Sequence, residues 1–355
     1  MRKVTATCWL ATVLALVSTD SPAAAPAEPV WTREAARTVL ARVDTDRVVA
    51  RLVDLTVTGA ETDIIELLED TRRRNDWPAP ARDAAVFAYT LELRALPPRA
   101  ASRNVMAYLR AYAPGAHVAH DDHPQGTVPL FNVPAAATGV VNGWRRQEAL
   151  LEGLALVKSN PRALADAFAL ETAAPVRAGY LQALDQATPE HATGVVREAL
   201  PRLADDPGMT PLAARAATRA ADLSAILVVL DYGRGPALQH MLTEAAAALD
   251  KHERTRLLSE ALASPHQTAA ALALASLYPG LAGTADADAA LLARLGDPEL
   301  GAAAALGLSR SPSLDTRLAL EALAATDDRP AARRARLALD LAVELADERT
   351  GVATP

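Results

Sequence analysis

The feature that most constrains this chain is a proline-marked break that recurs between apolar helical runs. Ser264-Pro265, Asp297-Pro298 and Asp328-Arg329-Pro330 each separate two such runs, and their prolines stand 33 and 32 residues apart. Each unit reads as a helix, a polar turn and a second helix opened by proline. Leu291 to Arg310 (LLARLGDPELGAAAALGLSR) is the clearest unit. Asp297 is suited to cap the helix whose first turn holds Pro298, because that turn leaves unpaired N–H groups and proline lacks one. Leu300, Ala304 and Leu308 then form one stripe. Two short helices cannot bury an apolar stripe alone, so a period of 30–40 residues with two helices each predicts a stacked α-solenoid. An irregular helical bundle with coincidental proline spacing is the alternative.

Composition agrees with an all-α chain. Alanine occupies 82 of 355 positions, and aromatic residues make up only 4%. Alanine is the best helix former, and its small side chain lets helices approach closely. One-faced helical spacing recurs at Val48/Val49/Leu52/Val53, at Val86/Tyr89/Leu93/Leu96, at Val105/Leu109/Tyr112 and at Leu337/Leu341/Leu345, the last with Arg333, Arg334 and Arg336 opposite. Strict alternation over a strand length is almost absent.

On these residues the Leu291–Arg310 unit resembles a bacterial HEAT-like (armadillo-type) repeat, of the kind also found in phycobilisome lyases. Asp297, Pro298, Leu300, Ala302 to Ala305, Leu306 and Gly307 match its pattern. Gly301 stands where that family usually has arginine, which leaves one common inter-repeat polar contact without its usual residue. The unit from 328 to 341 matches more loosely, with Arg333 near the arginine position, and 264 to 277 matches weakly. The resemblance covers roughly residues 250–347. It implies a HEAT-like solenoid and a protein-binding or scaffolding role, and it implies no reaction. Helix pairs of irregular length, with breaks at Ala174-Pro175, Thr188-Pro189, Asp206-Pro207 and Gly235-Pro236, extend the expected solenoid upstream.

Residues 1–27 read as an export signal. Arg2 and Lys3 begin it, Cys8 to Val17 is an apolar run of ten, and Ala25-Pro26-Ala27 supplies small residues for cleavage after Ala27. The run is far shorter than the roughly 20 residues a spanning helix needs, and no later stretch is long and apolar enough. Cleavage would remove Cys8, the one cysteine. The expected compartment is the bacterial periplasm or the outside, where a cysteine-free chain meets no oxidation hazard. A net charge of −7 argues against a nucleic-acid binder held by phosphate contacts.

The expected organisation is a signal peptide at 1–27, an N-terminal helical region at 28–113, an irregular Pro/Gly/His loop at 114–147 and the solenoid at 148–350. The loop breaks the pattern with Pro114, Pro124, Pro129, Pro134, Gly115, Gly126, Gly139 and Gly143. Val128 to Val133 is its nearest approach to a strand, and helical spacing resumes near Glu148. Ordered loops of this length usually bind something or connect two lobes.

The loop also holds the sharpest chemical pattern, HVAHDDH. His117, His120 and His123, with Asp121 and Asp122, are candidate ligands for a divalent metal such as zinc, because imidazole and carboxylate are its usual donors. The same residues serve equally as helix caps or solvated loop side chains. No His-Glu-x-x-His motif accompanies them. Phe131 and Trp144 are candidate partner anchors, or else they pin the loop to adjacent helices.

Other chemistry is missing from the sequence. There is no glycine-rich phosphate loop, and Gly233-Arg234-Gly235-Pro236 lacks the third glycine of a dinucleotide fingerprint. There is no Gly-x-Ser-x-Gly elbow and no thiol after signal removal. Asp205-Asp206 and Asp327-Asp328 sit at breaks, where capping explains them. Arg72-Arg73-Arg74 ends a helix, where it complements the dipole. No catalytic residue and no cofactor are legible. The leading expectation is an exported, non-enzymatic scaffold that binds a protein or peptide through its repeats. The alternative is a metal-binding protein or metal-dependent hydrolase built on the His/Asp loop. A helical toroid acting on glycans would need aromatic-lined clefts, which the few aromatics disfavour.

Overall fold

A computed structural model describes residues 30–350, apart from 99, 122, 124, 125, 265, 327 and 328 and the side chains of 347–350. The export signal, Asp122 and the Asp327-Asp328 pair lie outside the described residues. The described residues are mostly helical, with eighteen α-helices and three strands of two or three residues. The chain divides into two compact units, one running to Leu96 and continuing over Ala100–Thr138, the other comprising 97–99 and the residues from Gly139 onward.

The first unit contains β1 (Val30–Trp31), α1 (Arg33–Leu40), α2 (Asp46–Thr58), α3 (Glu61–Arg73), α4 (Ala79–Glu92), α5 (Arg103–Arg110), β2 (His117–Ala119) and β3 (Thr127–Pro129). Helix α4 is the hub, packed by α1, α2 and α3. Its Ala81, Ala85, Val86 and Tyr89 are fully buried. The Tyr89 hydroxyl meets Thr56 Oγ1 at 2.7 Å, and since Thr56 donates to the Leu52 carbonyl, Tyr89 is the donor of that pair. Thr32 and Ser102 cap α1 and α5 through their hydroxyls. Strand β2 pairs in parallel with β1 and antiparallel with β3, in the register Trp31 to Val118 to Val128.

Helix α6 (Val133–Ser159) corrects the expected extent of the irregular loop. The irregular stretch ends at Asn132 rather than near Glu148. Asn132 Oδ1 accepts from Ala135 N at 3.0 Å and caps the helix. Pro134 falls in the first turn, where its missing N–H costs nothing. Gly143 faces open space, and Gly139 and Gly143 weaken the helix by about 1 kcal/mol each without stopping it. Residues with a breaker's reputation were here placed where helices tolerate them.

The second unit continues with α7 (Pro161–Leu170), α8 (Ala174–Asp185), α9 (Pro189–Ala199), α10 (Thr210–Arg219), α11 (Leu223–Tyr232), α12 (Ala237–Ala248), α13 (Lys251–Ala263), α14 (Gln267–Leu277), α15 (Ala285–Leu292), α16 (Gly301–Leu308), α17 (Leu314–Ala324) and α18 (Arg329–Thr350). Proline stands in the first turn of α7, α8, α9 and α10; Pro175 of α8 and Pro189 of α9 are at expected breaks, whereas Pro207 opens a short turn ahead of α10 and Pro236 precedes α12 as its N-cap. Asn160, Thr188, Asp222, Asp250 and Ser313 cap the helices that follow them.

Packing follows a simple rule. Helices α8, α10, α12, α14, α16 and α18 touch in succession, and so do α11, α13, α15 and α17. Chain neighbours α9/α10, α11/α12, α13/α14, α15/α16 and α17/α18 join the two series. One apolar core runs from Ala149 to Ala338. The stripe read from the sequence is inside it, with Leu300, Ala304 and Leu308 at most 5% exposed. Asp297 Oδ1 accepts from the Glu299 and Leu300 amides at 2.9 and 3.0 Å, and these bonds hold its carboxyl below the ordinary carboxylate range.

Small residues set the interhelical spacing. A Cβ on Gly179 of α8 would strike the backbone of Arg146 and Leu150 and the Cβ of Ala149, all on α6, while a Cβ on Gly153 would lie 2.8 Å from Ala183 Cβ. Gly179→Ala should therefore destabilise the protein by about 2–3 kcal/mol, since a backbone cannot move aside as a side chain can. Gly143→Ala, on the open side of α6, should stabilise by about 0.5–1 kcal/mol. Urea denaturation of the two variants checks the pair, and equal effects would contradict the close approach.

The missing arginine at Gly301 also has an explanation. The Arg334 guanidinium from α18 occupies that space and donates to the carbonyls of Leu295 (2.8 Å), Asp297 (2.5 Å) and Pro298 (3.3 Å). The inter-pair polar contact is thus made by the following unit. The buried face of α18 is Ala331, Ala332, Ala335 and Ala338, while Leu337, expected on the buried face, is 45% exposed.

Candidate functional site

The histidine-bearing segment is a β-hairpin anchored from below by a buried carboxylate. Asp83 of α4 is 2% exposed and accepts from Tyr112 Oη and the Ala116 amide, each at 2.7 Å. Burial raises the Asp83 carboxyl above the ordinary range, against the opposing pull of these bonds. Burial and the neighbouring Asp83 likewise push the Tyr112 phenol up, so it remains the donor. Ala116 also accepts from Leu130 N at 2.8 Å. The chain is therefore fixed at the entry to β2 and the exit of β3.

Alternation along β2 then assigns the side chains. Val118 points inward at 5% exposure, which places His117 and Ala119 on the opposite face. Beyond Ala119 the chain closes a turn, with His120 N donating to Gly126 O at 2.9 Å and Gly126 N donating to His123 O at 2.8 Å. The two histidines flank Gly126. A Cβ there would lie 3.4 Å from His123 Cβ and 3.6 Å from His120 Cβ. Their rings meet with centroids 4.8 Å apart at a tilt of 43°.

Of the five candidate metal ligands, this geometry joins His120 and His123. His117 lies in the strand. Asp121 is held by Arg33 of α1, Oδ2 to Nη2 2.8 Å, in a pair whose side chains are 71% and 59% exposed and which is worth no more than about 1 kcal/mol. Among the described residues, no three His, Cys, Asp or Glu side chains are grouped to hold a metal ion.

The two candidate partner anchors are committed to the fold. Phe131 packs on Phe87 with ring centroids 5.5 Å apart, and Trp144 is 7% exposed. Arg72–Arg74 are engaged locally. Arg73 pairs with Glu69, and Arg74 pairs with Asp76 while lying 4.2 Å over the Trp77 ring. Asp206 caps the short turn at Pro207–Met209 through Gly208 N.

The second unit offers surfaces the sequence reading did not single out. Helix α10 floors a trough between α8 and α12. Two adjoining hollows of about 430 and 140 Å³ share Arg215 and Thr218. Arg215 lies 3.2 Å from Asp185 and 4.0 Å from Glu244, which ties three helices together with charge. Farther along the same series the outward positions turn apolar. Ala271 and Ala275 of α14, Ala302 and Leu306 of α16, and Leu337 of α18 are exposed. Ala275, Leu306 and Leu337 stand 31 residues apart, as do Ala271, Ala302 and Arg333. That spacing was available in the sequence, but a buried stripe and an exposed one have the same period. The segment Gly301–Leu308 carries no polar side chain at all. No helix among the described residues is long and apolar enough to cross a membrane. No protein-family model, no curated protein and no solved structure matches this chain.

Proposed function

We propose that the chain is an exported bacterial envelope protein that acts as a non-enzymatic interaction or scaffolding module, with α7–α18 forming a HEAT-like solenoid. The helix-to-second-helix packing supports the solenoid reading, as does the repeat resemblance over 250–347. The observation that carries the functional reading is the exposed apolar stripe of Ala275, Leu306 and Leu337. A helix that is apolar on every side is normally covered on every side, and α16 exposes Leu306 by 47%. Repetition of one position at 31-residue spacing extends the patch across three helices, the geometry by which stacked repeats grip a partner chain. The partner is a protein or peptide that lays an apolar face across α14, α16 and α18.

A photocrosslinking residue at Ala302, used in intact cells, should yield a discrete protein adduct. The Leu306→Glu/Leu337→Glu variant should lose the adduct at least about tenfold while its thermal midpoint stays near wild type, because both side chains are already exposed. An adduct that persists in the double variant would move the interface off this face.

A further inference from the structure

The hairpin turn carries a second, independent possibility. Two imidazoles bound to one tetrahedral zinc, with nitrogen–metal distances of about 2.0–2.1 Å, have ring centres roughly 5 Å apart. The rings of His120 and His123 are 4.8 Å apart and tilted by 43°. The backbone brings the two residues together, since the Gly126 amide donates to His123 O and the Gly126 carbonyl accepts from His120 N. Both histidine β-carbons lie against Gly126, 3.4 and 3.6 Å from where a side chain there would begin. The neighbouring carboxylate, Asp121, is drawn toward α1 by Arg33. His117 stands in β2, three residues before the turn.

We propose that His120 and His123 form a two-imidazole site for a borderline divalent transition metal such as zinc, nickel or copper. Nitrogen donors select these ions over calcium and magnesium, which prefer several oxygens. Two protein ligands leave the remaining positions to water. The site is independent of the solenoid reading, because it lies wholly in the first unit.

The test is a calorimetric titration of zinc chloride into the full chain, purified without a histidine tag. One equivalent should bind at pH 7.5, with calcium chloride giving no heat above dilution. His120→Ala and His123→Ala should each weaken zinc binding at least about tenfold, and His117→Ala should change it by less than about twofold. Circular dichroism should be unaltered in all three variants. Wild-type affinity in His120→Ala or His123→Ala would overturn the proposal. So would an equal loss in His117→Ala, which would require a different ligand set.

Discussion

Replacing Asp288 with alanine should cost about 3–5 kcal/mol and should loosen the C-terminal helices before the rest of the chain. Asp288 is 1% exposed on α15 and accepts four hydrogen bonds. Tyr278 Oη donates at 2.7 Å, Gly283 N at 3.2 Å, and Ser311 Oγ and Thr316 Oγ1 at 2.5 Å each. The donors come from the end of α14, the two loops around α15 and α16, and the first turn of α17, so one carboxylate joins four consecutive pieces of chain. Burial and the adjacent Asp288 push the Tyr278 phenol well up, so it stays protonated and donating. Alanine would strand these donors in a dry interior, where each unsatisfied group costs about 1–3 kcal/mol. Ser311 is only partly buried and can turn to water, which keeps the total below the sum. Asp288→Asn should be milder, about 1–2 kcal/mol, because the Ser311 and Thr316 hydroxyls can rotate to accept from an amide. Amide hydrogen exchange should show α15–α18 losing protection first in the alanine variant, since these helices contact only near neighbours in the chain. A change of less than about 1 kcal/mol in urea denaturation would contradict the four-donor geometry.

Asp83→Ala should cost about 2–4 kcal/mol by the same physics, and it adds a pH signature. The variant strands the Tyr112 hydroxyl and the Ala116 amide beneath the hairpin. Because burial raises the folded-state pKa of Asp83 above its unfolded value of about 3.8, the folded chain holds that proton more tightly. The ionised group therefore costs stability above the raised pKa, and that cost is relieved as pH falls through it toward the unfolded value. The stability gap between wild type and Asp83→Ala should widen as pH drops from neutral into that window. A gap that narrows there would mean that the hydrogen bonds, not burial, dominate the carboxyl. The variant should also weaken the hairpin turn, visible as line broadening of the His120 and His123 ring resonances.

Several elements were legible in the sequence for plain reasons. Asp297 and Pro298 announce a turn ahead of a helix, since Asp297 accepts from the Glu299 and Leu300 amides, but α16 itself opens three residues later, at Gly301, with Leu300 rather than Asp297 as its cap. Leu300, Ala304 and Leu308, four residues apart, share a face by helical geometry alone, while their burial came from the helices packed against that face. The strand and the helix start at 127–133 were harder. Pro134, Gly139 and Gly143 are breakers by propensity, and only their places in α6, in the first turn and on exposed or uncrowded sides, made them harmless. Asp83 and Asp288 carried no local signal, because all but one of their donors lie 10 to 33 residues away.

The candidate site divides in the same way. HVAHDDH marks where imidazoles cluster, but which of them meet depended on the turn closing over Gly126 and on Arg33 drawing Asp121 aside. Phe131 and Trp144 were noticed for being rare; Trp144 is buried, and Phe131 packs on Phe87 while staying partly exposed. The 31-residue series of Ala275, Leu306 and Leu337 was written in the chain throughout, yet its exposure was not. By itself the sequence determined the helical content and several of the breaks, because these depend on bonds within a few residues. Only the tertiary structure decided which stripe of each helix faces solvent: on α18 the alanines Ala331, Ala335 and Ala338 are buried, Arg334 reaches the carbonyls beside Gly301 and Leu337 stays outside, through contacts between residues too distant in sequence for any local pattern to encode.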